Sequence, residues 1–108
     1  TGIKGEPALL AYSSSKGAVL AGVRSMAVEL SAKNIRVNAI VPGHIIDTEM
    51  GQNTLHELPA EALEHLKEKH LLGWGNVNAL KGTAVYFLSD ASRWVTGSLL
   101  VIDGGYSL

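Results

Sequence analysis

The fold is decided by a short apolar run, Ile35-Arg36-Val37-Asn38-Ala39-Ile40-Val41, which ends at Pro42-Gly43. Its β-branched residues and the turn-forming pair that closes it predict a β-strand over residues 35–41. A second apolar run, Ser98-Leu99-Leu100-Val101-Ile102, ends at Asp103-Gly104-Gly105 and predicts another strand over residues 98–102. Near-continuous apolar strands are typical of a parallel sheet that is covered on both faces.

Helical patterns precede and separate the two predicted strands. Residues 8–33 carry apolar side chains at three- and four-residue spacings, with Asn34 as the expected stop: Val19, Val23, Met26, Ala27 and Leu30. Further helices are expected at about residues 59–70, with Pro59 in the first turn, and at residues 77–88. The order of elements predicts one α/β unit, in which the last helix crosses between two neighbouring parallel strands.

Composition excludes several function classes. The 108 residues carry a net charge of −1 and no basic block, so we expect no nucleic-acid partner. Apolar runs are far shorter than the roughly 20 residues that span a bilayer, so no membrane segment is expected. Residues 1–7 read as a loop and not as a signal peptide, and we expect a cytoplasmic location. The absence of cysteine removes thiol catalysis.

The segment that suggests chemistry is Tyr12-Ser13-Ser14-Ser15-Lys16. A tyrosine and a lysine four residues apart lie on one face of a helix. An ammonium held near a phenol favours the phenolate, whereas burial disfavours it, so such a pair can move a proton at a substrate. The spacing alone is common, and a solvated pair on a helix surface is the alternative.

Four segments, in chain order, resemble motifs of the short-chain dehydrogenase/reductase family. Residues 12–19 resemble its active-site helix, and residues 34–43 are similar to its "IRVNAIAPG" strand and loop. Residues 87–97 resemble "FLASDxASxxTG", and residues 101–105 match its "VDGG" ending. The resemblance covers nearly the whole chain. It implies an α/β fold in which residues 1–108 form the C-terminal portion of a doubly wound, parallel-sheet (Rossmann-type) domain.

The resemblance also implies that parts of the family's domain precede Thr1. The strand and Gly-rich turn that hold the cofactor pyrophosphate have no counterpart here, and Gly2 and Gly5 align with glycines that follow the family's catalytic serine. We therefore expect the chain to be part of a protein of roughly 250 residues. Two strands alone would leave edges and apolar faces uncovered. A non-catalytic half, acting only with a separate N-terminal part, is the alternative to an enzyme.

The family's reaction is a hydride transfer between NAD or NADP and a carbonyl or secondary alcohol. The resemblance makes Tyr12 the general acid in reduction and the general base in oxidation. It makes Lys16 the group that favours the phenolate and also binds the nicotinamide ribose, so both residues contact cofactor. Enoyl-reducing relatives place the tyrosine and lysine further apart, which disfavours an enoyl substrate. A homo-oligomer, dimer or tetramer, is expected to form through the last helix and strand.

Four further residues are implied in cofactor binding. Pro42 and Gly43 would shape a loop against the nicotinamide, and the backbone near Ile45 would meet its carboxamide. Thr48 would offer its hydroxyl to the cofactor, although it lies one residue further from Pro42 than in the family pattern. The selector between NAD and NADP belongs to the part of the family domain without a counterpart here.

The remaining candidate residues either have two possible roles or have no expected catalytic or metal-binding role. His44 either faces the substrate or is simply exposed. Trp74 stands where the family often has Arg, and could pack at a substrate lid or in an interface. His65 and His70 are five residues apart and do not converge on a helix, so we expect no metal site.

Overall fold

The computed structural model describes residues 9–108, and its elements follow the predicted order with one addition. In chain order they are helix α1 (Leu10–Ser31), strand β1 (Ala39–Pro42), helices α2 (Glu49–Glu57), α3 (Ala60–Glu68) and α4 (Asn78–Leu88), a 3₁₀ turn (Asp90–Ser92) and strand β2 (Leu99–Ile102). The loop expected over residues 1–7, the first residue of the predicted helix 8–33, and Gly2 and Gly5 lie outside the described residues.

The two strands are hydrogen-bonded neighbours in a sheet of two strands within residues 9–108. The N–H of Ala39 donates to the carbonyl of Ser98, and the N–H of Gly43 donates to the carbonyl of Ile102, at 2.9 Å in both cases. The partner's number rises with the donor's number, so the strands are parallel. Helix α4 lies between them in the sequence, which confirms the predicted strand–helix–strand order.

Strand β1 starts at Ala39, so the prediction of a strand from residue 35 was wrong at that end. One backbone bond remains there, from the N–H of Gly97 to the carbonyl of Val37 (2.7 Å), and side chains make further bonds. The Asn38 amide donates to the carbonyl of Val95 (2.9 Å) and accepts from the N–H of Ser98 (3.0 Å). The N–H of Val37 donates to the hydroxyl of Thr96 (3.1 Å). These bonds satisfy the local polar groups without a regular strand.

The described chain divides into two compact units. The first comprises residues 9–39 and Ser89–Leu100, and the second comprises Ile40–Leu88 and Val101–Leu108. In the first unit, α1 buries Val23 and Ala27 of the predicted apolar stripe, whereas Val19 is 57% exposed. Among residues 9–108, Val23 and Ala27 are the buried hydrophobic residues, and many large apolar side chains are exposed, including Leu72 and Leu88.

Helix α1 ends as the sequence predicts. Asn34 has a φ of 58°, the left-handed conformation that asparagine adopts more readily than most residues. Its N–H donates to the carbonyl of Ser31, and the N–H of Ile35 donates to the carbonyl of Leu30. This is a Schellman motif, which satisfies the last carbonyls of the helix.

The second unit contains a helix that the sequence reading missed. No helix was predicted between residues 44 and 58, but α2 occupies Glu49–Glu57 and begins at a Thr48 cap. The next helix is shorter than predicted, and Pro59 precedes it as the N-cap instead of lying in its first turn. Within residues 9–108, no helix combines the length and hydrophobicity that a bilayer crossing needs.

Candidate functional site

The predicted proton-transfer pair lies near the start of α1, in the first unit. Lys16 Nζ is 5.4 Å from the centroid of the Tyr12 ring, and Tyr12 is 43% exposed. The four-residue spacing produces this proximity because one helical turn separates the two side chains. The Ser15 hydroxyl donates to the Tyr12 carbonyl (2.7 Å) and so stays within the helix. A phenol and an ammonium are therefore presented together on an accessible face.

The serines between them differ in their surroundings. Ser14 is exposed, whereas the hydroxyl oxygen of Ser13 is buried and has no hydrogen-bond partner within the described part of the chain. Ser13 is half-buried as a residue, in keeping with a small side chain that permits close packing. No acid–base partner for a serine nucleophile is found beside them in residues 9–108.

The predicted cofactor residues Pro42, Gly43, Ile45 and Thr48 all lie in the second unit, at the end of β1 and in the loop after it. We call Gly43–Thr48 the site loop. Its backbone is held by the segment 70–77, a contact that was not predicted. The N–H of Gly75 donates to the carbonyl of His44 (3.1 Å), and the N–H of Ile46 donates to the carbonyl of Gly75 (3.0 Å).

The last part of the site loop is fixed by a carboxylate. Both oxygens of Asp47 lie within reach of the N–H of Val77, at 2.9 and 3.2 Å. Val77 directly precedes α4, whose first free N–H groups need acceptors. The Asn76 side chain accepts a hydrogen bond from another of these groups, the N–H of Ala79 (3.2 Å). Asp47 thus joins the site loop to the start of α4.

Two glycines allow this close packing. A Cβ at Gly43 would lie 2.8 Å from the Cα of Asp103, and a Cβ at Gly75 would lie 2.7 Å from Cδ1 of Ile45. The first of these contacts is with backbone, which cannot move away as a side chain can. The Pro42-Gly43 pair therefore does more than end the strand, because Gly43 seats the site loop directly on the turn after β2.

Thr48 has a structural role in addition to the one predicted. Its hydroxyl donates to the carbonyl of Ile45 (3.0 Å) and accepts from the N–H of Gly51 (3.1 Å). The second bond is an N-cap for α2. Because the hydroxyl proton is used within the chain, donation to a cofactor would require Thr48 to give up Ile45. Its role towards a cofactor stays a prediction.

Four rings from three segments meet at the site loop: His44 of the loop itself, His70 and Trp74 of the segment 70–77, and Tyr106 after β2. The ring centroids of His70 and Tyr106 are 4.6 Å apart with an interplanar angle of 23°, and those of His70 and Trp74 are 5.1 Å apart. His44 meets Tyr106 edge-on at 5.5 Å. His44 is half-buried in this ring cluster, and His70 is 3% exposed. The cluster was not predicted, because its three segments lie far apart in the sequence and follow no motif spacing.

The hydrogen bonds of His70 define its tautomer. Its Nδ1 lies 2.9 Å from the carbonyl of Leu66, which can only accept, so Nδ1 carries the proton. Its Nε2 lies 3.3 Å from the backbone nitrogen of His44, which can only donate, so Nε2 is an acceptor. The His44 Nδ1 is also 3.3 Å from the same Nε2. Through Nε2 the His70 imidazole therefore anchors the start of the site loop.

Asp103 organises the turn that carries Tyr106. Its carboxylate accepts from the N–H groups of Gly105 (2.9 Å) and Ser107 (3.0 Å). Burial raises the pKa of Asp103, but hydrogen bonds from the Ser107 side chain and from both backbone groups, together with the nearby His70, outweigh it. The net effect is a pKa below the usual value of 3.8. Asp103 is thus ionised at neutral pH.

Metal ligation has no support in residues 9–108, where no group of three or more His, Asp or Glu side chains is placed to hold an ion. His65 and His70 occupy different surroundings: His65 is on the exposed side of α3, and His70 follows that helix in the ring cluster.

Comparison with known proteins shows to which family the chain belongs. The family model described as enoyl-(acyl carrier protein) reductase matches residues 1–107. Over 106 residues the chain is 36% identical to the inactive 2-(S)-hydroxypropyl-CoM dehydrogenase 2 of Xanthobacter autotrophicus, covering 96% of this chain and 46% of that protein. Over 98 residues it is 43% identical to the L-xylulose reductase of Hypocrea jecorina, covering 90% and 32%.

A solved structure gives the same result for the fold. The structure of 4-hydroxyisoleucine dehydrogenase complexed with NADH superposes with a TM-score of 0.87 at 36% identity, over 98% of this chain and 43% of that one. The predicted α/β, Rossmann-type fold and the predicted family are therefore confirmed. The chain spans less than half the length of these relatives.

Proposed function

Because this chain belongs to the short-chain dehydrogenase/reductase family, we propose that it forms the proton-transfer and nicotinamide-facing part of an NAD(P)-dependent oxidoreductase. The proposed reaction interconverts a carbonyl and a secondary alcohol on a small molecule. The relatives named above are dehydrogenases and a reductase, which supports this reaction class. The observation that carries the proposal is the Tyr12–Lys16 pair, with Lys16 Nζ 5.4 Å from an accessible phenol ring.

The proposed roles follow from the chemistry of the two side chains. In reduction the Tyr12 hydroxyl donates its proton to the substrate oxygen, and in oxidation the phenolate takes that proton back. The Lys16 ammonium stabilises the phenolate that remains after donation. The nicotinamide, when bound, supplies or accepts the hydride. The protein's part is to hold the substrate oxygen against the Tyr12 hydroxyl while the charge changes.

The chain's own residues fit a nicotinamide cofactor. Lys16 and Thr48 are both exposed and suited to ribose and amide or phosphate groups, although Thr48 must release Ile45 before it can donate. Pro42 is exposed at the end of β1, and the backbone from Gly43 to Asp47 is fixed by the contacts described above. We propose that Pro42, Gly43 and Ile45 face the nicotinamide and that Lys16 binds its ribose. Either NAD or NADP is compatible with these residues.

The family model's description names an enoyl reduction, but the Tyr12–Lys16 spacing favours a carbonyl or alcohol. We further propose a homo-oligomer, dimer or tetramer, through α4 and β2. Support comes from α4, where Val85 is 67% exposed and Leu88 is 87% exposed. We also propose a cytoplasmic location, as expected from the sequence.

The test is turnover by the complete protein with NADH and NADPH, using small ketones and sugars with the corresponding alcohols, and an enoyl thioester for comparison. We expect Tyr12→Phe to lower kcat by roughly 10²–10⁴-fold while the cofactor Kd changes little, because only the proton donor is lost. Lys16→Ala should damage both kcat and cofactor binding.

Tyr86→Phe is the matched control, because Tyr86 is 39% exposed on α4 and has no proposed catalytic role. It should turn over like the wild type. If Tyr12→Phe and Lys16→Ala both lowered turnover only slightly and to the same extent, the two residues would be a solvated pair on a helix surface without a catalytic role. One relative is named as inactive, so absence of turnover in the wild type, with cofactor still bound, would favour the non-catalytic alternative.

A further inference from the structure

We propose that His70 is a positioning residue for the nicotinamide: its Nε2 fixes the start of the site loop by accepting the backbone N–H of His44. The inference rests on the function proposed above, because the site loop is the segment expected to face the nicotinamide. It concerns a residue outside the Tyr–Lys motif and outside the loop itself. The distance from His70 Nε2 to the His44 nitrogen is 3.3 Å.

Only one tautomer of His70 can do this, and the structure selects it. The carbonyl of Leu66, in the last turn of α3, accepts a hydrogen bond from the Nδ1–H group at 2.9 Å. The Nε2 lone pair is therefore available as an acceptor. The ring is held in place by Tyr106 on one side, at 4.6 Å, and by Trp74, at 5.1 Å. The acceptor is therefore oriented before any ligand arrives.

The hydrogen bond from the His44 N–H to His70 is largely shielded from water, because His70 is 3% exposed and His44 is half-buried. A donor that loses its acceptor away from water is unfavourable, and a loop relieves that cost by moving. The His44 carbonyl and the Ile46 N–H remain tied to Gly75. Loss of His70 should therefore displace the beginning of the site loop, next to Gly43, without unfolding the unit.

A pair of amide variants in the complete protein separates this role from packing. In His70→Gln the side-chain oxygen reaches the position of Nε2 and can accept from His44. In His70→Asn the amide reaches only the position of Nδ1 and can serve Leu66 but not His44. We expect cofactor Kd, with NADH or NADPH as the probe, to stay near wild type in His70→Gln and to rise about ten-fold in His70→Asn. In His70→Asn, kcat at saturating cofactor should fall less than the affinity does.

The pH dependence of cofactor binding provides a second measurement, which does not depend on His70→Asn folding. The titratable groups that face His70 are the rings of His44 and Tyr106 and the carboxylate of Asp103. A protonated Nε2 cannot accept from the His44 N–H. Cofactor affinity of the wild type should therefore weaken on acidification, whereas His70→Gln, which keeps all the other groups, should lose that component.

The outcomes decide between the two proposals. If the wild type binds neither NADH nor NADPH, the proposed function fails. If it binds cofactor, and Tyr12→Phe loses turnover, but His70→Gln and His70→Asn weaken binding equally, the positioning role alone is overturned. Identical pH profiles of cofactor affinity in the wild type and His70→Gln would overturn it as well. Unfolding midpoints of all variants, measured alongside, identify any loss that is due to misfolding.

Discussion

The Tyr12–Lys16 pair and the site loop are built by different kinds of contact. The pair needs only one turn of α1, which brings Lys16 Nζ to 5.4 Å from the Tyr12 ring. The site loop needs partners far along the chain: His70, Gly75 and Val77 on one side, and Ile102 and Asp103 on the other. The first arrangement is local, and the second is tertiary.

This difference has a physical consequence. A local arrangement persists wherever the helix persists, and it tolerates changes elsewhere in the chain. A tertiary arrangement exists only while the segments that supply its partners remain packed, so it responds to substitutions that never touch a ligand. The proposed proton-transfer pair therefore depends on local helix geometry, whereas the proposed nicotinamide-facing loop depends on tertiary packing.

The largest effect is expected when the 108-residue chain is produced alone. Val23 and Ala27 are the buried hydrophobic residues among those described, while Leu88 is 87% exposed and Val101 is 40% exposed. A two-stranded sheet is marginal without neighbours. We expect a partly helical chain, since α1 has 22 residues, without cooperative unfolding and without hydrogen-exchange protection of the site loop's amides.

Sedimentation, circular dichroism and hydrogen exchange, with and without NADH or NADPH, would measure this. A cooperative, cofactor-binding monomer would contradict the expected difference between the local Tyr12–Lys16 pair and the site loop. In that case the site loop would be held by the packing of these residues alone, and we would have mistaken a self-sufficient domain for part of one.

The next effect uses two helical glycines as a matched pair. A Cβ at Gly51, in the first turn of α2, would collide with the carbonyl oxygen of Ile45 and come within 2.7 Å of the Cα of Ile46. A Cβ at Gly22, in the middle of α1, meets nothing within 4 Å. In the complete protein we expect Gly51→Ala to lower the free energy of unfolding by roughly 1–3 kcal/mol.

For Gly22→Ala we expect the opposite sign, a gain of about 0.5–1 kcal/mol, because alanine loses less entropy in a helix. Denaturant unfolding measures both variants. A destabilising Gly22→Ala would show that α1 is pressed against further chain at that point, and its independence would then be smaller than we infer. A neutral Gly51→Ala would contradict the close packing of the site loop on α2.

The sequence predicted what depends on short-range patterns. The parallel strands, α1 with its stop at Asn34, α4 and the Tyr12–Lys16 spacing all follow from periodicity, turn residues and motif order. The start of β1 was wrong because the side chain of Asn38 takes the place of a backbone partner, and a residue's own identity does not show which bond it will make.

The rest could not be predicted because it depends on residues meeting across the chain. Helix α2 was missed because Thr48 was read as a cofactor ligand, although a threonine before an acidic residue is also an N-cap signal. His70 was judged only against other histidines on its helix. Its partners, His44 and Tyr106, come together only once the two strands pair and their turns pack.

The smallest effect expected is on the pH dependence of stability at Asp103, which underlies the site loop but not the Tyr12–Lys16 pair. The folded-state pKa of Asp103 lies below its ordinary value of 3.8, so its ionised form stabilises the fold above that pH. This contribution is lost as the pH falls from about 3.8 through the lower, folded-state pKa.

Asp103→Asn keeps the shape but turns an amide N–H towards the N–H of Gly105 or Ser107. We therefore expect Asp103→Asn to be less stable than the wild type at neutral pH, with a gap that narrows in acid as the wild-type carboxyl protonates. Ser107→Ala is the control that removes only the hydroxyl bond. At neutral pH it should lower the stability of the wild type by less than Asp103→Asn does. Urea unfolding of the complete protein across this pH range measures all three. A stability gap that does not change with pH would mean that the Asp103 charge contributes nothing, and that the turn beneath Gly43 is held by its backbone contacts alone.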